Sequence, residues 1–98
     1  MKIIWLTDLH LNFLEMPKRI KFYQSIIKCN GDIIIITGDI AESDSICDLL
    51  KEMVTTIKLP VYFVLGNHDF YGGEIDTVRN EVIQQSKEEK LLFYLSSS

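Results

Sequence analysis

The sequence predicts an α/β fold, a parallel βαβαβαβ arrangement forming a single domain over residues 1–98, from three observations. Short apolar runs, Ile3 to Leu6, Ile33 to Ile36 and Val61 to Leu65, recur about 30 residues apart, the spacing of a βαβ unit. The stretches between them carry helical periodicity. The chain has 98 residues, enough for one domain and too short for two that fold separately.

The elements follow in order. Ile3 to Leu6 is the first strand. Pro17 suits a first helical turn, Ile20, Tyr23, Ile26 and Ile27 form an apolar stripe, and Asn30-Gly31 is a stop signal, so a helix lies between the first two strands. Ile33 to Ile36 is all isoleucine, the pattern of a strand buried on both faces. Ser43 or Ser45 can cap a second helix whose Ile46, Leu49, Leu50, Met53, Val54 and Ile57 share one face, and Pro60 ends it before the third strand. After Gly72-Gly73 a more polar helix runs from about Glu74 to Glu88, with Ile75, Val78, Val82 and Ile83 on one side. Leu91 to Leu95 is a fourth strand.

Right-handed crossovers put every helix on one sheet face if strands are added successively in one direction. The second strand then lacks cover on the other face, so either another layer packs there or the strand order reverses. Trp5 is expected in the core. Cys29 and Cys47 are expected to be small buried hydrophobes, and Lys87-Glu88-Glu89-Lys90 a solvated helix end.

Composition excludes several classes. Hydrophobic residues make up 47% and charged residues 24%, a globular balance. A net charge of −4 leaves no basic surplus for a phosphate backbone, so nucleic acid is expected only as a substrate. Two cysteines are too few for a disulfide framework, and no apolar run approaches the roughly 18–20 residues of a membrane span. A reducing, cytoplasmic location with no membrane partner is expected.

Polar residues suited to metal or phosphate follow each of the first three strands at once: Thr7-Asp8-Leu9-His10, Thr37-Gly38-Asp39 and Gly66-Asn67-His68-Asp69. In parallel α/β sheets the carboxyl ends of neighbouring strands converge on the ligand crevice. Each segment alone reads as an ordinary turn or cap. Their coincidence after three successive strands favours a metal site over three turns. Carboxylate, imidazole and amide oxygen suit a divalent ion such as manganese, iron or zinc, and two such ions can clamp a phosphate and activate water. Asp8 and His10 are the candidate ligands of a first ion, Asp39 of a bridge between two, and Asn67 of the second. Phe70-Tyr71 could stack on a substrate base or wall the pocket.

At these residues the sequence resembles the calcineurin-like metallophosphoesterases, whose opening motifs are Asp-x-His, Gly-Asp and Gly-Asn-His-Asp/Glu. They stand here as Asp8-Leu9-His10, Gly38-Asp39 and Gly66-Asn67-His68-Asp69, in the family's order. The resemblance implies a hydrolase of phosphomonoesters or phosphodiesters, with the metal roles just given and a phosphate ester as substrate. It also implies that His68 contacts the scissile phosphate and acts as general acid, with Glu42 as its acidic partner. Ser43 stands where the family's protein phosphatases carry arginine, which argues against that branch.

The family continues to further histidines and a second sheet, together a four-layer α/β sandwich, whereas this chain contains two histidines in all. The expectation is therefore the N-terminal half of such a domain, apparently truncated, with its second metal site incomplete. Two functions follow: a phosphoesterase completed by a partner chain or a longer form that supplies the missing half, or a weakly active or inactive half-domain that binds metal and hides its apolar face in a homo-oligomer.

Overall fold

A computed structural model describes residues 1–66, 69 and 73–95. Four strands, β1 (Ile3–Leu6), β2 (Ile33–Ile36), β3 (Val61–Phe63) and β4 (Leu92–Tyr94), form one parallel sheet in the order β1-β2-β3-β4. Three helices connect them: α1 (Met16–Lys28), α2 (Ile46–Ile57) and α3 (Ile75–Glu88). The α/β class and every predicted element stand. The last two strands are shorter than their apolar runs, and a 3₁₀ turn at Leu11–Phe13, which no periodicity announces, follows β1.

Strand order answers the question of layers. Successive addition in one direction places all three right-handed crossovers on one face. On that face Ile34, Ile36, Val61, Phe63 and Leu92 pack against Tyr23 and Ile26 of α1, Leu50 and Met53 of α2, and Val78 and Val82 of α3. All of these are buried.

The opposite face has no helix among the described residues. Its central row runs across the sheet as Trp5, Ile35, Tyr62 and Phe93, each directly opposite the next. Tyr62 and Phe93 stack with ring centroids 4.7 Å apart. Trp5 is therefore not a core residue: it is 71% exposed, and its indole N–H donates to the Thr37 hydroxyl at 3.3 Å. Alternation fixed which residues share Trp5's face but carried no information on what covers it. The isoleucines of β2 divide the same way, with Ile34 and Ile36 buried and Ile33 and Ile35 half-buried on the open side.

Helix ends differ in detail from expectation. Ser45 occupies the N-cap of α2, yet its hydroxyl donates to the Glu42 carbonyl at 3.4 Å instead of accepting from the first turn. Asn30, with φ 52°, makes the left-handed turn after α1, and Lys58, with φ 61°, ends α2. Cys29 lies exposed at the end of α1, where its thiol meets the Ser25 carbonyl, so it is not the buried hydrophobe expected. Cys47 is half-buried against the core, and burial pushes its thiol up.

Candidate metal centre

Parallel strands end together, so the loops after β1, β2 and β3 leave the sheet at one edge. The first two run side by side. The Asp8 N–H donates to the Gly38 carbonyl at 3.3 Å, the His10 N–H to Asp39 at 3.0 Å, and the Leu11 N–H to Ile40 at 2.7 Å. These bonds continue the pairing of β1 with β2 past the end of both strands. They carry Asp8 and His10 alongside Asp39.

The third loop comes in close because two glycines allow it. A Cβ on Gly66 would stand 2.5 Å from a carboxylate oxygen of Asp39 and 2.7 Å from its backbone nitrogen. Gly38 adopts φ 113°, and a Cβ there would lie 3.1 Å from the Gly66 backbone. Glycine at both positions thus sets the loop separation.

Asp8, His10 and Asp39 each present a ligand atom, and these atoms all lie within 4.8 Å of one another. Asp8 is exposed, while His10 and Asp39 are half-buried. Their backbones have φ 52°, 46° and 54°, a left-handed conformation that non-glycine residues rarely adopt. Among the described residues only Asn30 and Lys58, both at helix ends, share it. Such conformations cost on the order of 1–3 kcal/mol each and gather where function requires them. Two carboxylates and an imidazole are a donor set for a borderline or hard divalent cation, so the residues present fit a metal ion.

Asp69 lies at the same edge but is not one of the three residues whose ligand atoms gather. It is fully buried and turned into the protein. One carboxylate oxygen accepts the N–H groups of Ile40 and Ala41, each at 2.8 Å, and the other accepts the N–H of Gly66 at 2.8 Å. Burial pushes its carboxyl above the ordinary range, the three N–H donors oppose that shift, and the nearby Asp39 charge adds to it. Only its place beside His68 pointed to Asp69; the bonds join segments about 30 residues apart, which no local pattern can show.

Glu42 lies in the loop before α2, where its carbonyl accepts from Ser45 and Ile46. Its surroundings are a surface pocket shared with Asn12, Asp44 and Asp48, and it is not one of the three residues whose ligand atoms gather. Asn67, His68, Phe70 and Tyr71 lie outside the described residues. The pairing of Glu42 with His68 lies outside the described residues as well.

A family model described as calcineurin-like phosphoesterase matches residues 1–93. The chain is 28% identical over 81 residues to a Bos taurus protein named "Transmembrane protein with metallophosphoesterase domain", covering 76% of this chain and 18% of the relative. A Danio rerio protein of the same name is 27% identical over 82 residues, covering 78% of this chain and 18% of its own length. The chain thus spans less than a fifth of either relative. Among the described residues, no helix is long and apolar enough to cross a membrane.

Proposed function

The chain belongs to the calcineurin-like phosphoesterase family, and we propose that it takes part in metal-dependent hydrolysis of a phosphomonoester or phosphodiester. The observation that carries this reading is the convergence of Asp8, His10 and Asp39 ligand atoms within 4.8 Å on three left-handed backbone positions. Asp8 and His10 would hold one divalent ion, Asp39 would serve both, and Asn67 would hold the second, with manganese, iron or zinc suiting this donor set. When bound, such ions supply Lewis acidity toward a phosphoryl oxygen and activate a water nucleophile near neutral pH.

The chain's own residues do the rest. His68 donates a proton to the leaving oxygen, a role imidazole fills near neutral pH, and Glu42 orients it. The second metal shell draws its remaining ligands from outside these residues. The unpaired Cys29 and Cys47 suit a reducing, cytoplasmic compartment. Hydrolysis of a chromogenic phosphodiester with added Mn²⁺ tests the reading: turnover by the wild type should fall to background in Asp39→Asn. Equal rates for the two proteins would remove Asp39 from the chemistry.

A second reading, an assembly half-domain, is favoured by the open sheet face. Ile3 is 53% exposed, Trp5 71% and Phe93 39%, and no charged side chain interrupts the row from Trp5 to Phe93. The occupant this favours is a second copy, because an uncharged apolar face is complementary to itself across a two-fold axis. Trp5 is the chain's single tryptophan, so association through this face would blue-shift its emission as protein concentration rises. A red emission that stays constant while sedimentation shows a monomer would reject that occupant.

A further inference from the structure

We propose that Asp69 is a positioning residue for the metal group: its carboxylate is the fixed anion that holds Asp39 in its left-handed conformation and locks the Gly66 loop against it. The inference rests on the metal reading above and assigns a task to a residue that does not itself belong to the gathered ligand set. In a turn that pairs a left-handed with a right-handed residue, successive N–H groups converge on one point, an anion-binding nest. Asp39 has φ 54°, and the N–H groups of Ile40 and Ala41 both point to one Asp69 oxygen at 2.8 Å. An anion at that point stabilises the very conformation in which Asp39 presents its side chain to Asp8 and His10.

The other Asp69 oxygen takes the Gly66 N–H at 2.8 Å. Gly66 is the residue whose missing Cβ leaves room for the Asp39 carboxylate. One side chain therefore ties the backbone that follows Asp39 to the Gly66 backbone packed against it. Because Asp69 is 0% exposed, no water competes for these bonds. A carboxylate suits the position better than an amide, since all three neighbours are donors and an amide NH₂ would face one of them.

Two measurements on the full chain test this. The first is Mn²⁺ affinity by titration calorimetry for the wild type, Asp69→Asn, Asp69→Glu and Val54→Ala, the last a buried core change in the final turn of α2. Outer-shell partners of metal sites are worth about 10–100-fold in affinity, so Asp69→Asn should weaken binding by that factor. Asp69→Glu, which keeps the charge, should recover part of it, and Val54→Ala should bind as the wild type does. Unchanged affinity in a folded Asp69→Asn, or an equal loss in Val54→Ala, would overturn the proposal. A wild type that binds no Mn²⁺ would instead overturn the metal reading.

The second measurement needs no variant. In metal-free wild type, the amide protons of Ile40, Ala41 and Gly66 should exchange with solvent as slowly as those of Ile34 and Ile36 in β2. Should they exchange freely and become protected only when Mn²⁺ is added, the metal and not Asp69 orders these loops, and the proposal fails even if Asp69→Asn does not fold.

Discussion

At Asp8 the backbone and the side chain have opposing needs. The exposed carboxylate contributes a ligand atom, while φ 52° is a left-handed conformation that glycine adopts freely and aspartate only occasionally. Asp8→Gly relieves the strain and loses the ligand. Relief of about 1–2 kcal/mol is offset in part by the greater freedom of glycine in the unfolded chain, so metal-free stability should rise by about 0.5 kcal/mol while Mn²⁺ affinity drops. Urea unfolding without metal checks the first half, and a clear loss of stability would show that Asp8 is held by contacts instead of tolerated for function. Gly66 presents the opposite case. Gly66→Ala places a methyl 2.7 Å from the Asp39 backbone nitrogen, a contact that no side-chain rotation relieves. Thermal unfolding of this variant should show a loss of at least about 1–3 kcal/mol, in the range of overpacking changes, together with weaker metal binding. The sequence shows the chemistry-bearing residue types and the glycines between them. It does not show that Asp69 turns inward, because that depends on which N–H groups the finished loops leave without a partner.

At the scale of elements, α1 and α2 are joined by a part-buried polar cluster. The Arg19 guanidinium donates to both Glu52 carboxylate oxygens at 2.7 and 3.2 Å and to the Leu14 carbonyl at 2.7 Å, and the Tyr23 hydroxyl donates to Glu52 at 2.8 Å. Hydrogen bonding from Arg19 holds the Glu52 carboxyl below the usual carboxylate range. A carboxylate with a depressed folded value contributes stability that is fully present above its unfolded value of about 4.3 and disappears as pH falls through the folded one. Glu52→Gln should therefore cost about 1–3 kcal/mol at neutral pH, and denaturant midpoints should show the gap narrowing on acidification. A gap independent of pH would mean that charge is not what Glu52 contributes. Burial first, and the bond to Glu52 second, raise the Tyr23 hydroxyl. Its contribution is present below about pH 10 and is lost above it, so alkaline unfolding should come earlier than in Tyr23→Phe. None of this cluster is a periodic feature: Arg19 and Glu52 are 33 residues apart. The helices themselves were legible, because Ile46, Leu49, Leu50, Met53, Val54 and Ile57 repeat at helical spacing and are all buried.

At the largest scale the described residues form a covered face, an open face and a polar edge, and these were legible to different degrees. Strand spacing and right-handed crossovers fix the covered face, and the successive order β1-β2-β3-β4 leaves the other one open. Trp5 shows the limit of a one-chain pattern: an apolar strand residue must face something, and whether that is the chain's own core is a property of the assembled layers. The polar edge needs only parallel strands that end together, which is why Asp8 and His10 of the first motif meet Asp39 of the second. Asn67 and His68 lie outside the described residues, so the second ion and the proton donor stand on the family resemblance. The most direct test of the metal group is calorimetric titration of the full chain with Mn²⁺, beside His10→Ala. The account predicts saturable binding by the wild type and a dissociation constant weaker by at least about tenfold once the imidazole is gone. Absence of saturable binding, or equal affinity in His10→Ala, would contradict it.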